Sequence, residues 1–152
     1  MDESLDLKFK YTEKEYTEAV KWYYSNLLNS KIDIIASLIS IFIGSFYWVT
    51  GSDSIIFKFL VAIGCLLLIM IIIVLYVNPK RFYKMQPKLH DEYNISFSYE
   101  GILFRTININ STIAWNHYSK VRESKKFFYL IYGKFMFTII PKRTFINNEQ
   151  EE

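Results

Sequence analysis

A single cysteine, Cys65, rules out an internal disulfide and leaves no thiolate set for a metal. The five glycines are scattered along the chain, so no glycine-rich phosphate loop is present. The two histidines, His90 and His117, stand alone, with no neighbouring cysteine and no metal-ligand spacing. No grouping of nucleophile, base and metal ligand emerges, so neither catalytic residues nor a cofactor nor a metal site is expected. The net charge of +3 is small and forms no basic stripe, which argues against nucleic acid as a partner. The first 31 residues carry charges throughout and lack an apolar core of the length a secretory leader needs. Asn94-Ile-Ser and Asn110-Ser-Thr match the glycosylation pattern but read as chance matches on a cytoplasmic domain.

Charge is also missing from two long stretches. Between Asp33 and Asp53 lie 19 uncharged residues, and between Lys58 and Lys80 lie 21. As helices these runs would be roughly 28 and 32 Å long, close to the thickness of a bilayer's hydrocarbon core. The second is the more apolar. Of the residues from Phe59 to Val77, fourteen are Leu, Ile, Val or Phe, which together favour insertion by roughly 4–8 kcal/mol. A soluble helix of this kind would need a large protein around it, and this chain has too few residues left to supply one. The first span, Ile34 to Thr50, carries small residues. Ala36, Ser40 and Gly44 recur every fourth position and define a candidate packing face, with Ala62, Gly64 and Cys65 at similar depth in the second span.

The link between the spans, centred on Thr50 to Ser54, is short and forces an antiparallel hairpin with both termini on one side. Lys21 and Lys31 precede the hairpin, and Lys80, Arg81, Lys84 and Lys88 follow it, whereas the link has no Lys or Arg before Lys58. The positive-inside rule then assigns both termini to the cytoplasm. Phe46, Tyr47 and Trp48 suit the outer interface, and Tyr76, Phe82 and Tyr83 the inner one.

Outside the spans the periodicity changes. Leu5, Leu7, Phe9 and Tyr11 alternate with Asp6, Lys8 and Lys10, a half-buried strand. Thr12 and Glu15 form a capping box that should start a helix running to about Asn29, with Tyr16, Val20, Tyr23 and Leu27 on one face. From Tyr93 onward alternation returns: Tyr93 to Tyr99, a turn at Glu100-Gly101, Ile102 to Ile107, a strand through Ile113 and Trp115, then a hairpin of Phe127–Tyr132 and Phe135–Ile140 about Gly133-Lys134. The strand through Ile113 should bury Trp115 in the core. The N-terminal strand has no partner before the membrane, so it is expected to add to the edge of the later sheet.

The run STIAWNHYSKVRES (111–124), then KFFYLIY (126–132) and FTIIPKRTF (137–145), resembles the C-terminal domain of the YcxB-like family of bacterial membrane proteins. The resemblance rests on Trp115 with Lys120 five residues on, and on the string Ile140 to Arg143 with Phe145 after it. It implies two membrane spans with a cytoplasmic domain related to pleckstrin-homology-like folds. It supplies no catalytic residues. Such domains usually close with a C-terminal helix, whereas this sequence ends in NNEQEE, which has no apolar face to pack. Pleckstrin-like domains that grip phosphoinositides carry cations at the first hairpin. Here that turn is Glu100-Gly101, which gives no support for specific headgroup binding.

The expected fold is a membrane α-helical hairpin plus an α+β part, in which a mostly antiparallel β domain forms a partial, pleckstrin-like barrel. The expected segments are a strand and juxtamembrane helix (1–31), the hairpin (32–78), a basic linker between Pro79 and Pro87 (79–92) and the β domain (93–152). The expected function is that of a non-enzymatic, multi-pass protein of a bacterial cell membrane, whose cytoplasmic domain binds another protein or the membrane surface. An accessory subunit of a transporter or channel is the alternative, although the spans carry no charge to mark a substrate path. Lys80, Arg81, Lys84 and Lys88, with Lys125 and Lys126 beside Phe127 and Phe128, are candidate contacts to anionic lipid headgroups, without specificity.

Overall fold

The computed structural model describes residues 5–51, 54–107 and 109–145. They divide into two compact units. A sheet unit takes the chain up to Ala19 and from Met85 onward, and a hairpin unit runs from Val20 to Lys84.

In the sheet unit, β1 (Leu5–Phe9) lies antiparallel to β2 (Tyr93–Phe97), which pairs with β3 (Gly101–Arg105) and then β4 (Asn110–Ala114). The N-terminal strand therefore does join the sheet formed after the hairpin. Its register places Leu7 opposite Ile95 and Phe9 opposite Tyr93, and β3 continues the row with Phe104 opposite Ile95. One face thus collects Leu7, Phe9, Ile95, Ile102 and Phe104, all buried, and β4 adds only the half-buried Ile113 to it. Gly101 opens β3 at φ 156°, and a β-carbon on it would come within 2.4 Å of the Ile113 carbonyl oxygen. Only glycine lets β4 approach so closely.

The second sheet is β5 (Lys120–Glu123), β6 (Phe127–Gly133) and β7 (Met136–Pro141). The β6–β7 turn is Lys134-Phe135, since Gly133 still pairs with Met136. β5, with the sequence Lys-Val-Arg-Glu, shows no apolar alternation and was not expected. The strands form two antiparallel sheets, which among the described residues do not close into a barrel. The NNEQEE tail lies outside the described residues.

α1 (Glu13–Leu27) begins at the capping box. The Thr12 amide donates to Glu15 Oε2 (3.0 Å) and the Glu15 amide to Thr12 Oγ1 (3.2 Å), so two otherwise orphaned donors are satisfied reciprocally. Ala19 and Val20 are buried. The Tyr129 hydroxyl of β6 donates to the Ala19 carbonyl (3.1 Å), which ties α1 to the sheet face carrying Phe127, Tyr129 and Ile139. Asn29, left-handed at φ 49°, separates α1 from the next helix, a conformation asparagine tolerates better than most residues.

The hairpin unit is α2 (Ser30–Val49) against α3 (Ile55–Ile72). Their seam is narrow. A β-carbon on Gly44 would meet the Phe57 carbonyl oxygen and Val61 Cγ2, both at 2.7 Å, and one on Gly64 would meet Ile41 Cγ1 at 2.7 Å and the Ser37 carbonyl oxygen at 2.9 Å. Ser37 is fully buried, and Ser40 Oγ donates to the Leu60 carbonyl (2.9 Å). The contact row is therefore Ser37, Ser40, Ile41 and Gly44. Of the expected packing residues, Ser40, Gly44 and Gly64 lie in the seam, whereas Ala36, Ala62 and Cys65 are exposed. A pair of helices crossing at a shallow angle meets along alternating spacings of three and four rather than strictly four.

The expected linker after Pro79 is instead largely helical. α3 passes through one π turn (Ile73–Val77) into α4 (Asn78–Met85), and a short 3-10 turn (Pro87–His90) follows. Proline offers no N–H and crowds the carbonyl four residues earlier, and the π turn absorbs that mismatch so that the helix continues past Pro79.

Candidate functional site: a cationic cleft on the sheet unit

The β5–β6 turn, the end of β7 and the first turns of α1 enclose a cleft of about 330 Å³. α1 contributes Lys14, Glu15 and Glu18 to its wall. The turn contributes Lys125, Lys126 and Phe127, the last residue of β7 contributes Pro141, and the 3-10 turn after it (Lys142–Thr144) contributes Lys142 and Arg143. Pairing across the sheet explains why these ends coincide. Phe127 lies opposite Pro141, and the Lys142 amide donates to the Lys126 carbonyl (2.8 Å), which holds the turn against the strand exit.

Five cations and two carboxylates line the cleft. Arg143 donates from Nε and from Nη2 to the two carboxylate oxygens of Glu15, and from Nη2 also to the Lys10 carbonyl (3.0 Å). This bidentate grip, with help from the capping donors at Thr12 and against the cost of partial burial, holds the Glu15 carboxyl down at about 2 and raises the Arg143 guanidinium. Lys126 pairs with Glu18 (2.7 Å). Lys142 pairs with Glu123 (2.5 Å) and lies over the Phe128 ring, 4.6 Å from its centre. Among the described residues, Lys14 and Lys125 make no ion pair. Burial pushes the Tyr129 hydroxyl up to about 12, so it remains a neutral donor to Ala19.

Of the six lysines and arginines singled out from the sequence, only Lys125 and Lys126 line this cleft. Lys80, Arg81 and Lys84 project from α4 in the hairpin unit, and Lys88 lies in the 3-10 turn that opens the rest of the sheet unit. All four are exposed. Lys14, Lys142 and Arg143 were not expected at such a site. Lys14 carries no signal beyond its charge, whereas Lys142 and Arg143 belong to the Ile140 to Arg143 string of the family resemblance, which says nothing of a cleft.

Trp115 is not core. It is 41% exposed and sits in a 3-10 turn (Trp115–His117) after β4, not on the strand itself. Its indole Nε1 donates to the Ser98 carbonyl (2.8 Å) and its ring lies nearly parallel to Phe97, with centroids 6.1 Å apart. Gly101 pairs with Ala114, so Trp115 falls just past the end of the ladder, beyond the side chains that could enclose it. His117 sits in the same turn and is exposed.

The order Trp115, Lys120 and Ile140 to Arg143 now has a structural meaning, running from the exit of β4 through β5 to the cleft-lining end of β7. Residues 97–152 match the family described as YcxB-like protein. The YcxB-like segment thus begins with the last residue of β2 and includes β3 to β7, whereas β1 and α1, which complete the first sheet and wall the cleft, lie outside it. No curated protein and no solved structure matches the chain.

Proposed function

We propose that this chain is a two-span membrane protein of the bacterial cell membrane, and that its sheet unit is a cytoplasmic, non-enzymatic interaction module. The observation that carries the membrane half of this reading is the outward face of the hairpin. Only 11% of the most apolar stretch of each long helix is buried. Phe42 is 71% and Val49 87% exposed, and α3 adds Ile63, Leu66, Ile69 and Met70. Exposed apolar surface on this scale is unfavourable in water and favourable in lipid. The uneven Lys and Arg distribution supports cytoplasmic termini, and the pleckstrin-like relationship remains an expectation of the family resemblance.

The interaction role is supported by the cleft, which gathers charge from three separate parts of the chain without any catalytic grouping among the described residues. Anionic headgroups at Lys80, Arg81, Lys84 and Lys88 fit the same reading as unspecific contacts. Alkaline carbonate extraction of membranes tests the anchoring. The chain is expected to stay in the pellet, and release into the supernatant would overturn the membrane reading. Mild detergent extraction and co-purification tests the role. A stable complex with a transporter or channel would favour the accessory-subunit alternative.

A further inference from the structure

We propose that the cleft between α1 and the β5–β6 turn binds a dianionic phosphate group through Lys14 and Lys125. This deepens the interaction role above and rests on it.

The argument starts from the distribution of charge. Arg143, Lys126 and Lys142 are each engaged by a carboxylate, so the wall around them is held in place by internal pairs. Lys14 and Lys125 line the same cleft with no ion pair among the described residues. Two unpaired ammonium groups in one concavity leave a net positive potential. A single carboxylate would neutralise only one of them, whereas a phosphate monoester carries nearly two negative charges near neutral pH. Lysine is a common phosphate ligand, acting as a point charge with three donors. Lys14 also stands in the first turn of the 15-residue α1, where the helix dipole adds to the positive field. Phe127 and Pro141 provide an apolar margin beside the charged wall, which excludes water and strengthens the attraction. The phosphate could belong to a soluble phosphorylated molecule or to a lipid headgroup.

The test uses the full-length chain in phosphatidylcholine nanodiscs, with backbone amide shifts read at Lys14 and Lys125. Inorganic phosphate at constant ionic strength is expected to shift both amides saturably. Lys14→Ala with Lys125→Ala should weaken the response on the order of tenfold. Neither substitution breaks an ion pair among the described residues, so the remaining amide spectrum reports whether the fold is intact. Should the double variant unfold, Lys125→Gln alone serves as the second variant. Discs containing phosphatidic acid, with no added phosphate, separate the sources. If they reproduce the shifts, a headgroup is the ligand, and if only soluble phosphate does, a phosphorylated solute is. An absent response to both probes, an undiminished response in the variants, or an equal response to chloride would overturn the proposal. Failure of the membrane reading would appear in carbonate extraction and leave the soluble phosphate titration interpretable.

Discussion

Arg143 clasps both carboxylate oxygens of Glu15 across 128 residues of chain, so the first turn of α1 and the exit of β7 are fastened by one ion pair. Glu15 also closes the capping box. Its folded pKa of about 2 lies below its ordinary value of 4.5. The contribution is therefore complete above about pH 4.5 and disappears as the pH falls toward 2. Glu15→Gln keeps an acceptor for Thr12 but removes the charge, and should cost about 1–2 kcal/mol at pH 7, the low end because Arg143 is partly exposed. Chemical denaturation of both forms against pH checks this. The difference should shrink to near zero by about pH 2, and a difference constant with pH would refute the ion-pair account.

Trp115 rests on the rim of the first sheet. Trp115→Ala should cost about 1–2 kcal/mol, from the lost bond to Ser98 and the stacking on Phe97. Tyr129→Ala, at a fully buried position, should cost about 3–5 kcal/mol. Denaturant midpoints of the two variants give the comparison, and an equal loss would return Trp115 to the core.

β1 depends on a partner reached only after the chain has passed through the hairpin. Deleting residues 1–11 removes Leu7, Phe9 and Tyr11, all buried, and the bond from the Tyr11 hydroxyl to the Ile139 carbonyl. At about 1.5–3 kcal/mol per buried side chain the loss rivals the stability of a small domain. The amides of β1 that bond to β2 should exchange slowly in the intact protein. Exchange as fast as a frayed terminus would contradict the pairing.

In the hairpin, Gly44→Leu or Gly64→Leu must force the helices apart, with an expected cost of about 1–3 kcal/mol. Ala36→Leu, on the exposed side, should be nearly neutral. Thermal unfolding in detergent distinguishes the seam found here from one that includes Ala36.

These results mark where the sequence was readable. Leu5, Leu7 and Phe9 alternate so regularly that both the strand and its need for a distant partner followed from period and unpaired backbone alone. Thr12 and Glu15 announced a helix start because the capping chemistry is local. β5 escaped notice because Lys-Val-Arg-Glu is largely exposed and carries no apolar period. Trp115 misled because its residue type favours burial, while its position just past the strand end does not. Only Lys125 and Lys126 of the cleft are legible in the sequence, since one wall, on α1, lies over a hundred positions away, and the other, after β7, reaches the turn only through strand pairing.

The arrangement proposed for the whole chain is a hairpin crossing the bilayer with the sheet unit on the cytoplasmic side. Cysteine labelling tests it most directly. With Cys65→Ser as background, Ser54→Cys reports on the hairpin link and Tyr99→Cys, 89% exposed at the β2–β3 turn, on the sheet unit. In intact bacterial cells expressing the protein, a membrane-impermeant maleimide should label Ser54→Cys and should reach Tyr99→Cys only after the cells are permeabilised. Labelling of Tyr99→Cys in intact cells, with Ser54→Cys protected, would contradict it.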